Sequence, residues 1–131
     1  MDGGELESPT PDRSYTAHLD YGRVRRRTEL GVEEGDVLWF VVQLECNHAP
    51  EYGSEDDWQH VARFDHHPHM DWGHDITDER LHIDLYAYDD LKVDVQKGFP
   101  EVPVNRAPAY CERFFDERYE ELLAEYHERS K

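Results

Sequence analysis

The chain contains few cysteines, few positively charged residues and no long hydrophobic run. Its two cysteines, Cys46 and Cys111, lie far apart, which excludes the dense spacing of a disulfide scaffold and the paired spacing of a zinc ribbon. No apolar run approaches the ~18 residues that a transmembrane helix needs. The first residues are acidic and no apolar stretch follows them, unlike a secretory signal. We therefore expect a cytoplasmic protein with free thiols and no membrane partner.

Negative charge dominates the composition. The 131 residues include 14 Lys and Arg against 31 Asp and Glu, so the formal net charge is -17. At ordinary ionic strength such a surface repels itself and destabilises the compact state, whereas molar salt shortens the Debye length to about 3 Å and screens the repulsion. The acidity and the small number of lysines are typical of a halophilic protein from a salt-rich, haloarchaeal cytoplasm. The alternative, an acidic nucleic-acid mimic, requires the charge to lie on one face.

The chain divides into a short tail and one domain. Residues 1–12 combine Gly, Pro, Ser, Thr and acids with a single Leu, so they predict a disordered acidic tail, and residues 13–131 predict a single domain. The pattern over residues 15–20 is ambiguous. A tight turn is expected at residues 33–36. Five segments have the composition or alternation of strands, and the second is expected to be central: residues 24–32, 37–46, 58–65, 79–87 and 91–95.

The C-terminal segment predicts one amphipathic helix. Pro108 is tolerated in the first turn of a helix. Five apolar residues then recur at spacings of four, four, three and four, which forms one stripe: Cys111, Phe115, Tyr119, Leu122 and Tyr126. Because this helix follows all the strands, the sequence predicts an α+β fold, with an antiparallel sheet of about five strands and one C-terminal helix packed on it.

Alternation along two strands brings polar residues together. In residues 58–65 it places Arg63 and Asp65 on the face opposite His60. In residues 79–87 it directs Leu81, Ile83 and Leu85 to the core and places His82, Asp84 and Tyr86 on the polar face. An Arg that holds a phosphate and a His that moves a proton are the minimum parts for RNA cleavage through the 2′-hydroxyl. The alternative is ordinary cross-strand charge pairing.

Five of the nine histidines lie between residues 66 and 82, most of them in a histidine-rich loop, residues 66–74. Imidazole and carboxylate serve both metal ligation and proton transfer. The candidate ligands of a metal site are His67, His69 and His74, or His82 with Asp84. The spacing lacks an HExxH motif and a cysteine pair, however, so we expect no native metal and no cofactor.

Arg23, Arg25, Arg26 and Arg27 form the main basic cluster of the chain. Such a cluster can contact phosphates. It can equally belong to a solvated edge strand whose charges discourage aggregation. The sequence leaves both interpretations open.

Residues 58–86 contain VARFDH, then GHD and then LHIDLY. This pattern resembles a group of small uncharacterised haloarchaeal proteins. That group is in turn distantly similar to the TumE family of toxin–antitoxin toxins. Three features carry this second resemblance: a buried strand ending at Glu45, the strand end at residues 63–66, and residues 73–74 followed by His82.

The resemblance implies a small ribonuclease that acts on RNA and pairs with a DNA-binding antitoxin. In such an enzyme Arg63 holds a phosphate, while His74 and His82 move protons. Asp65 and Asp84 orient these groups. The alternative is a non-catalytic interaction or metal-binding protein that uses the histidine-rich loop.

Overall fold

The computed structural model describes residues 10–49 and 55–131. It forms one antiparallel sheet in which each strand pairs with the next along the chain. A short helix, α1, precedes the fifth strand, and a single 3₁₀ turn leads into the long C-terminal helix, α2. The elements are β1 (Arg13–Asp20), β2 (Val24–Glu33), β3 (Asp36–Asn47), β4 (Trp58–His66), α1 (Ile76–Glu79), β5 (Ile83–Ala87), β6 (Leu91–Gln96), the turn Val104–Arg106 and α2 (Ala107–Arg129).

This architecture confirms the predicted α+β fold, with six strands among the described residues where about five were expected. The additional strand is β1, which covers the segment whose pattern was ambiguous. Most β1 side chains are exposed at the sheet edge, so no apolar alternation marks this strand in the sequence. Residues 1–9 of the predicted tail lie outside the described residues. Asp12 does not belong to a free tail, because its carboxylate accepts a hydrogen bond from the backbone N–H of Val32 at 2.8 Å.

The β2–β3 hairpin forms where the turn was predicted. Glu34 and Gly35 both have positive φ, 51° and 86°, as a tight hairpin turn requires. The predicted central strand is also confirmed: β3 is third of six and contributes Phe40, Val42 and Leu44 to the core.

Helix α2 covers one face of the sheet. Its buried residues Cys111, Phe115, Leu122 and Tyr126 belong to the predicted stripe. The Phe115 ring packs on Phe64 of β4, with centroids 5.2 Å apart. The core therefore lies between α2 and the sheet, and the opposite face of the sheet, called the open face here, has no such helix among the described residues. No helix in the described part of the chain is long and apolar enough to cross a membrane.

A β-bulge changes which side chains of β4 reach the open face. Leu44 pairs with Ala62, but Glu45 pairs with His60, so Val61 is an extra residue. The bulge puts His60 on the same face as Arg63, whereas strict alternation had assigned these two side chains to opposite faces. When two residues of one strand oppose a single residue of its partner, every residue on one side of the bulge turns to the opposite face of the sheet.

The strand predicted over residues 79–87 is shorter than expected. β5 begins at Ile83, because Ile76–Glu79 forms α1 and Arg80 ends it with φ at 65°. Leu81, Ile83 and Leu85 nevertheless enter the core as predicted.

Candidate functional site

The open face carries a cleft of about 530 Å³. Its walls combine basic, acidic and aromatic side chains, and the three cationic ones come from β2, β4 and β6. Each of these cationic side chains is paired with a carboxylate: Arg27 with Glu45, Arg63 with Asp65 and Lys92 with Asp84. The lining residues are Arg27, Glu29, Trp39, Val41, Gln43, His60, Arg63, His67, Trp72, Asp84, Tyr86 and Lys92.

The histidine-rich loop forms one wall of this cleft. His67 stacks on Trp39 with centroids 4.6 Å apart, and Trp72 meets the imidazole edge-on with centroids 4.8 Å apart. The guanidinium of Arg63 lies over the Trp72 ring, 4.6 Å from its centroid. Gly73 permits this packing, because a Cβ there would lie 2.3 Å from the carbonyl oxygen of His67.

His67 is buried in a way that keeps its imidazole neutral. Neither of its ring nitrogens has a hydrogen-bond partner among the described residues. Burial, together with the positive charge of Arg63, lowers the pKa of His67 to about 4. At neutral pH this side chain therefore acts as a flat, uncharged ring in the cleft wall.

Asp65 ties the loop to the end of β4. It is fully buried, and its Oδ1 accepts the backbone N–H of His74 at 2.8 Å. Its Oδ2 accepts from Arg63 at 3.3 Å. Burial raises the pKa of Asp65, while the His74 N–H and the Arg63 charge oppose that rise. The carboxyl group thus positions both the loop and Arg63.

Asp84 and His74 form a charge pair at the edge of the cleft. Asp84 Oδ1 lies 3.1 Å from His74 Nε2 and 3.4 Å from Lys92 Nζ. Burial alone would raise the pKa of Asp84, but the hydrogen bond and charges of His74 and Lys92 outweigh it and lower that pKa. The hydrogen bond to Asp84 in turn raises the pKa of His74, against the effect of burial. Asp84 lines the cleft, and His74 lies behind it.

His82 lies beside His74 but outside the cleft lining. The two rings are 4.8 Å apart, and Nε2 of His82 lies 3.1 Å from the backbone carbonyl of Glu79. The alternation had placed His82 and Asp84 on a polar face, yet both are buried. The loop and α1 are responsible, since His74 and Glu79 contact them directly.

The structure brings together the five residues that the sequence singled out for catalysis. Arg63 and Asp84 are register partners on neighbouring strands. Asp65 contacts Arg63, and His74 contacts Asp84. The ring of His82 lies against that of His74. The suggested trio of His67, His69 and His74 does not form a ligand cluster. Within the described ranges, two groups have potential ligand atoms within 4.8 Å of one another: Asp65, His74 and Asp84, and His74, Glu79 and His82.

Sequence reasoning missed several residues of the site. Three cleft residues that the sequence did not indicate are His60, Trp39 and Lys92. A β-bulge places His60, stacking on His67 places Trp39, and the pairing of β6 with β5 places Lys92. These are long-range contacts, so no local sequence pattern predicts them. The sequence contains a signal for Glu79, because Glu79 and His82 are spaced as a Glu-x-x-His pair.

The arginine cluster is compensated by carboxylates on both faces of the sheet. On the open-face side, Arg25 and Arg27 contact the buried Glu45 at 2.6 and 3.3 Å. On the helix side, Arg26 contacts Asp116 at 2.9 Å. The edge-strand interpretation of this cluster is wrong, because β1 pairs with β2 along its length. Among these arginines, Arg27 reaches the cleft.

Most of the chain matches the model of a known protein family. The family described as "Domain of unknown function (DUF7718)" matches residues 6–131, nearly the whole chain. The chain belongs to this family. Comparison with curated proteins and with solved structures gives no significant match. This match confirms the expectation that the chain belongs to an uncharacterised family. The description of the family assigns no activity.

Proposed function

We propose that this protein is a small ribonuclease of the TumE-like toxin type, which cleaves RNA at the open-face cleft without a catalytic metal. One observation carries the proposal: the cleft joins cationic side chains and aromatic rings to an ionised carboxylate, Asp84, in a strongly acidic protein. The proposal also rests on the resemblance to the toxin pattern, which is carried by the strand ending at Glu45, by residues 63–66 and by residues 73–74 with His82.

Binding of RNA uses charge and stacking. Arg63 and Lys92 flank Asp84 and hold the phosphate that is to be cleaved. Trp72 is 39% exposed at the cleft wall and offers its free surface to a base. Stacking of a base on an aromatic side chain contributes about 1–3 kcal/mol and is tolerant of sequence.

Cleavage proceeds by transfer within the RNA. The 2′-oxygen attacks phosphorus and gives its proton to Asp84, the bond from phosphorus to the 5′-oxygen breaks, and His60 protonates that oxygen. The products are a 2′,3′-cyclic phosphate and a 5′-hydroxyl. His74 acts as a positioning residue that fixes Asp84 through the 3.1 Å hydrogen bond, and Asp65 fixes Arg63. The proposal gives His82 no part in proton transfer, because it lies outside the cleft lining.

The test is cleavage of a single-stranded RNA in molar KCl by the untagged full chain. We expect a 2′,3′-cyclic phosphate product and no cleavage where the 2′-hydroxyl is replaced by hydrogen. Arg63→Ala and Asp84→Asn should each reduce the rate at least a hundredfold. Arg113→Ala removes an exposed arginine of α2 and should leave the rate unchanged.

Two results would count against the enzyme. RNA that binds and stays intact identifies a non-catalytic binding protein, and a wild type that neither binds nor cuts RNA removes the proposal entirely. Quenching of Trp72 fluorescence, measured against Trp72→Phe, reports binding separately from cleavage.

The cellular setting forms part of the proposal. The net charge of -17 supports a haloarchaeal cytoplasm, and the buried free thiols of Cys46 and Cys111 are compatible with a reducing compartment. We expect expression in a haloarchaeal host to arrest growth, and co-expression of an adjacent antitoxin gene to relieve the arrest. Growth equal to that of cells expressing Asp84→Asn would contradict the toxin role.

A further inference from the structure

Behind Asp84, on the side away from the cleft, three potential metal ligands converge. They are His74 from the loop, Glu79 from the end of α1 and His82 from the segment before β5. One ligand atom of each lies within 4.8 Å of the others. None of the three lines the cleft, and His74, which holds Asp84 in position, is the residue that this cluster shares with the proposed ribonuclease site.

One separation in this cluster already suits a zinc ion. Ligands bound to tetrahedral Zn²⁺ at 2.0–2.2 Å lie roughly 3.3–3.5 Å apart. His74 Nδ1 lies 3.4 Å from Glu79 Oε2, so this pair already has the required spacing. Imidazole nitrogens with one carboxylate favour zinc over Mg²⁺ and Ca²⁺, which prefer oxygen ligands alone.

Both imidazoles are held by the contacts that metal-binding histidines make. His74 Nε2 donates to the carboxylate of Asp84 at 3.1 Å, and His82 Nε2 donates to the carbonyl of Glu79 at 3.1 Å. A hydrogen bond from one ring nitrogen to a carboxylate or carbonyl directs the other nitrogen to the metal. In both residues Nδ1 is therefore the nitrogen available to a metal ion.

The second cluster is less suited to a metal, because both oxygens of Asp65 and Oδ1 of Asp84 already have partners. Asp65 accepts from the His74 N–H and from Arg63, and Asp84 accepts from His74 and Lys92. By contrast, the Glu79 side chain is 46% exposed, which gives an ion and a fourth, water ligand access from solvent.

We propose that His74, Glu79 and His82 bind one Zn²⁺, which fastens the histidine-rich loop and α1 to the start of β5. The ion is structural, since His74 Nε2 keeps its hydrogen bond to Asp84 while Nδ1 binds the metal. Zinc stabilises the chain because the three ligands come together in the folded state. This inference goes beyond the proposed ribonuclease and does not depend on it.

The test is calorimetric titration of the untagged, chelator-treated chain with ZnCl₂ in molar KCl. We expect one Zn²⁺ per chain and a higher melting temperature with zinc. Glu79→Gln, chosen because Glu79 is half-exposed and its loss spares the core, should weaken binding at least tenfold. Asp78→Asn removes the same charge from the exposed neighbouring residue of α1 and should bind like wild type.

Further variants separate this site from other zinc-binding arrangements. His82→Ala should also weaken binding, and His69→Ala, which removes an exposed loop histidine, should not. Absence of zinc binding, or equal affinity of Glu79→Gln and wild type, would overturn the inference. Loss on His69→Ala would assign the metal to the loop instead. Zinc binding by a chain that leaves RNA intact would support the metal site and remove only the ribonuclease.

Discussion

The imidazole of His67 stacks on the indole of Trp39, with ring planes 20° from parallel and centroids 4.6 Å apart. His67 is 2% exposed, and neither of its ring nitrogens has a hydrogen-bond partner in the described part of the chain. Protonating this ring means burying a charge next to Arg63, which is why the pKa of His67 falls to about 4.

This contact predicts a specific pH dependence of stability. Between pH 4 and pH 6.5 the unfolded chain binds a proton at His67 and the folded chain does not, so the free energy of unfolding rises with pH in this window. The contribution is roughly 3 kcal/mol at full extent. His67→Phe, which keeps a flat ring on Trp39, should lose this part of the slope in chemical denaturation series.

His69→Phe changes an exposed histidine of the same loop and should retain the wild-type slope. An unchanged slope for His67→Phe between pH 4 and 6.5 would show that His67 is accessible to protons in the folded state.

Gly31 has no room for a side chain. A Cβ at this position would lie 1.9 Å from Nε1 of Trp39, so Gly31→Ala must displace the indole from its stack on His67. We expect a loss of about 1–3 kcal/mol, typical of overpacking, and a changed tryptophan emission spectrum. In a Trp39→Leu background the same substitution should cost much less. Equal costs in both backgrounds would exclude the indole as the cause.

Leu81 anchors the segment before β5 in the core. It is 1% exposed, so Leu81→Ala should reduce the free energy of unfolding by about 2–5 kcal/mol, as buried leucine truncations do. Leu91→Ala is the matched control, because Leu91 is 60% exposed on β6 and should change stability by less than about 0.5 kcal/mol. Thermal or urea unfolding distinguishes the two, and similar losses would contradict the described burial.

Salt should stabilise the fold. With a net charge of -17, repulsion between surface carboxylates falls as KCl approaches molar concentration, where the Debye length is about 3 Å. We expect circular dichroism to show loss of structure at tens of millimolar KCl and recovery in molar KCl. Sorbitol at equal osmolality is the uncharged control and should not restore structure to the same extent. Full folding at low salt would contradict the halophilic interpretation.

Much of the fold could be predicted from the sequence, because a helix or strand that buries one face has apolar residues at regular intervals along the chain. The apolar run of β3 predicts a central strand, and the stripe through Cys111, Phe115 and Tyr126 predicts a helix packed on a sheet. The N-terminal strand escaped prediction because an exposed edge strand buries too few side chains to show alternation.

Part of the candidate site could also be predicted from the alternation of buried and exposed residues along each strand. Period two places Arg63 and Asp84 on the polar faces of two strands, and the register of those strands makes the two residues partners. The bulge at Val61, which moves His60 to the open face, depends on how β4 meets β3. The burial of His82 depends on the loop that folds back over β5. Alternation within one strand does not predict which side chains a distant loop will cover.

The sequence by itself determined the fold class, the core positions and the presence of arginine, histidine and carboxylate groups on neighbouring strands, because these follow from local periodicity and composition. The tertiary structure alone decided that Asp84 faces a cleft while His74 lies behind it, and that Glu79 joins His74 and His82. Those contacts arise from strand register, one bulge and the packing of the loop over the sheet. They are set by long-range burial and hydrogen bonding, which no single segment of the sequence encodes.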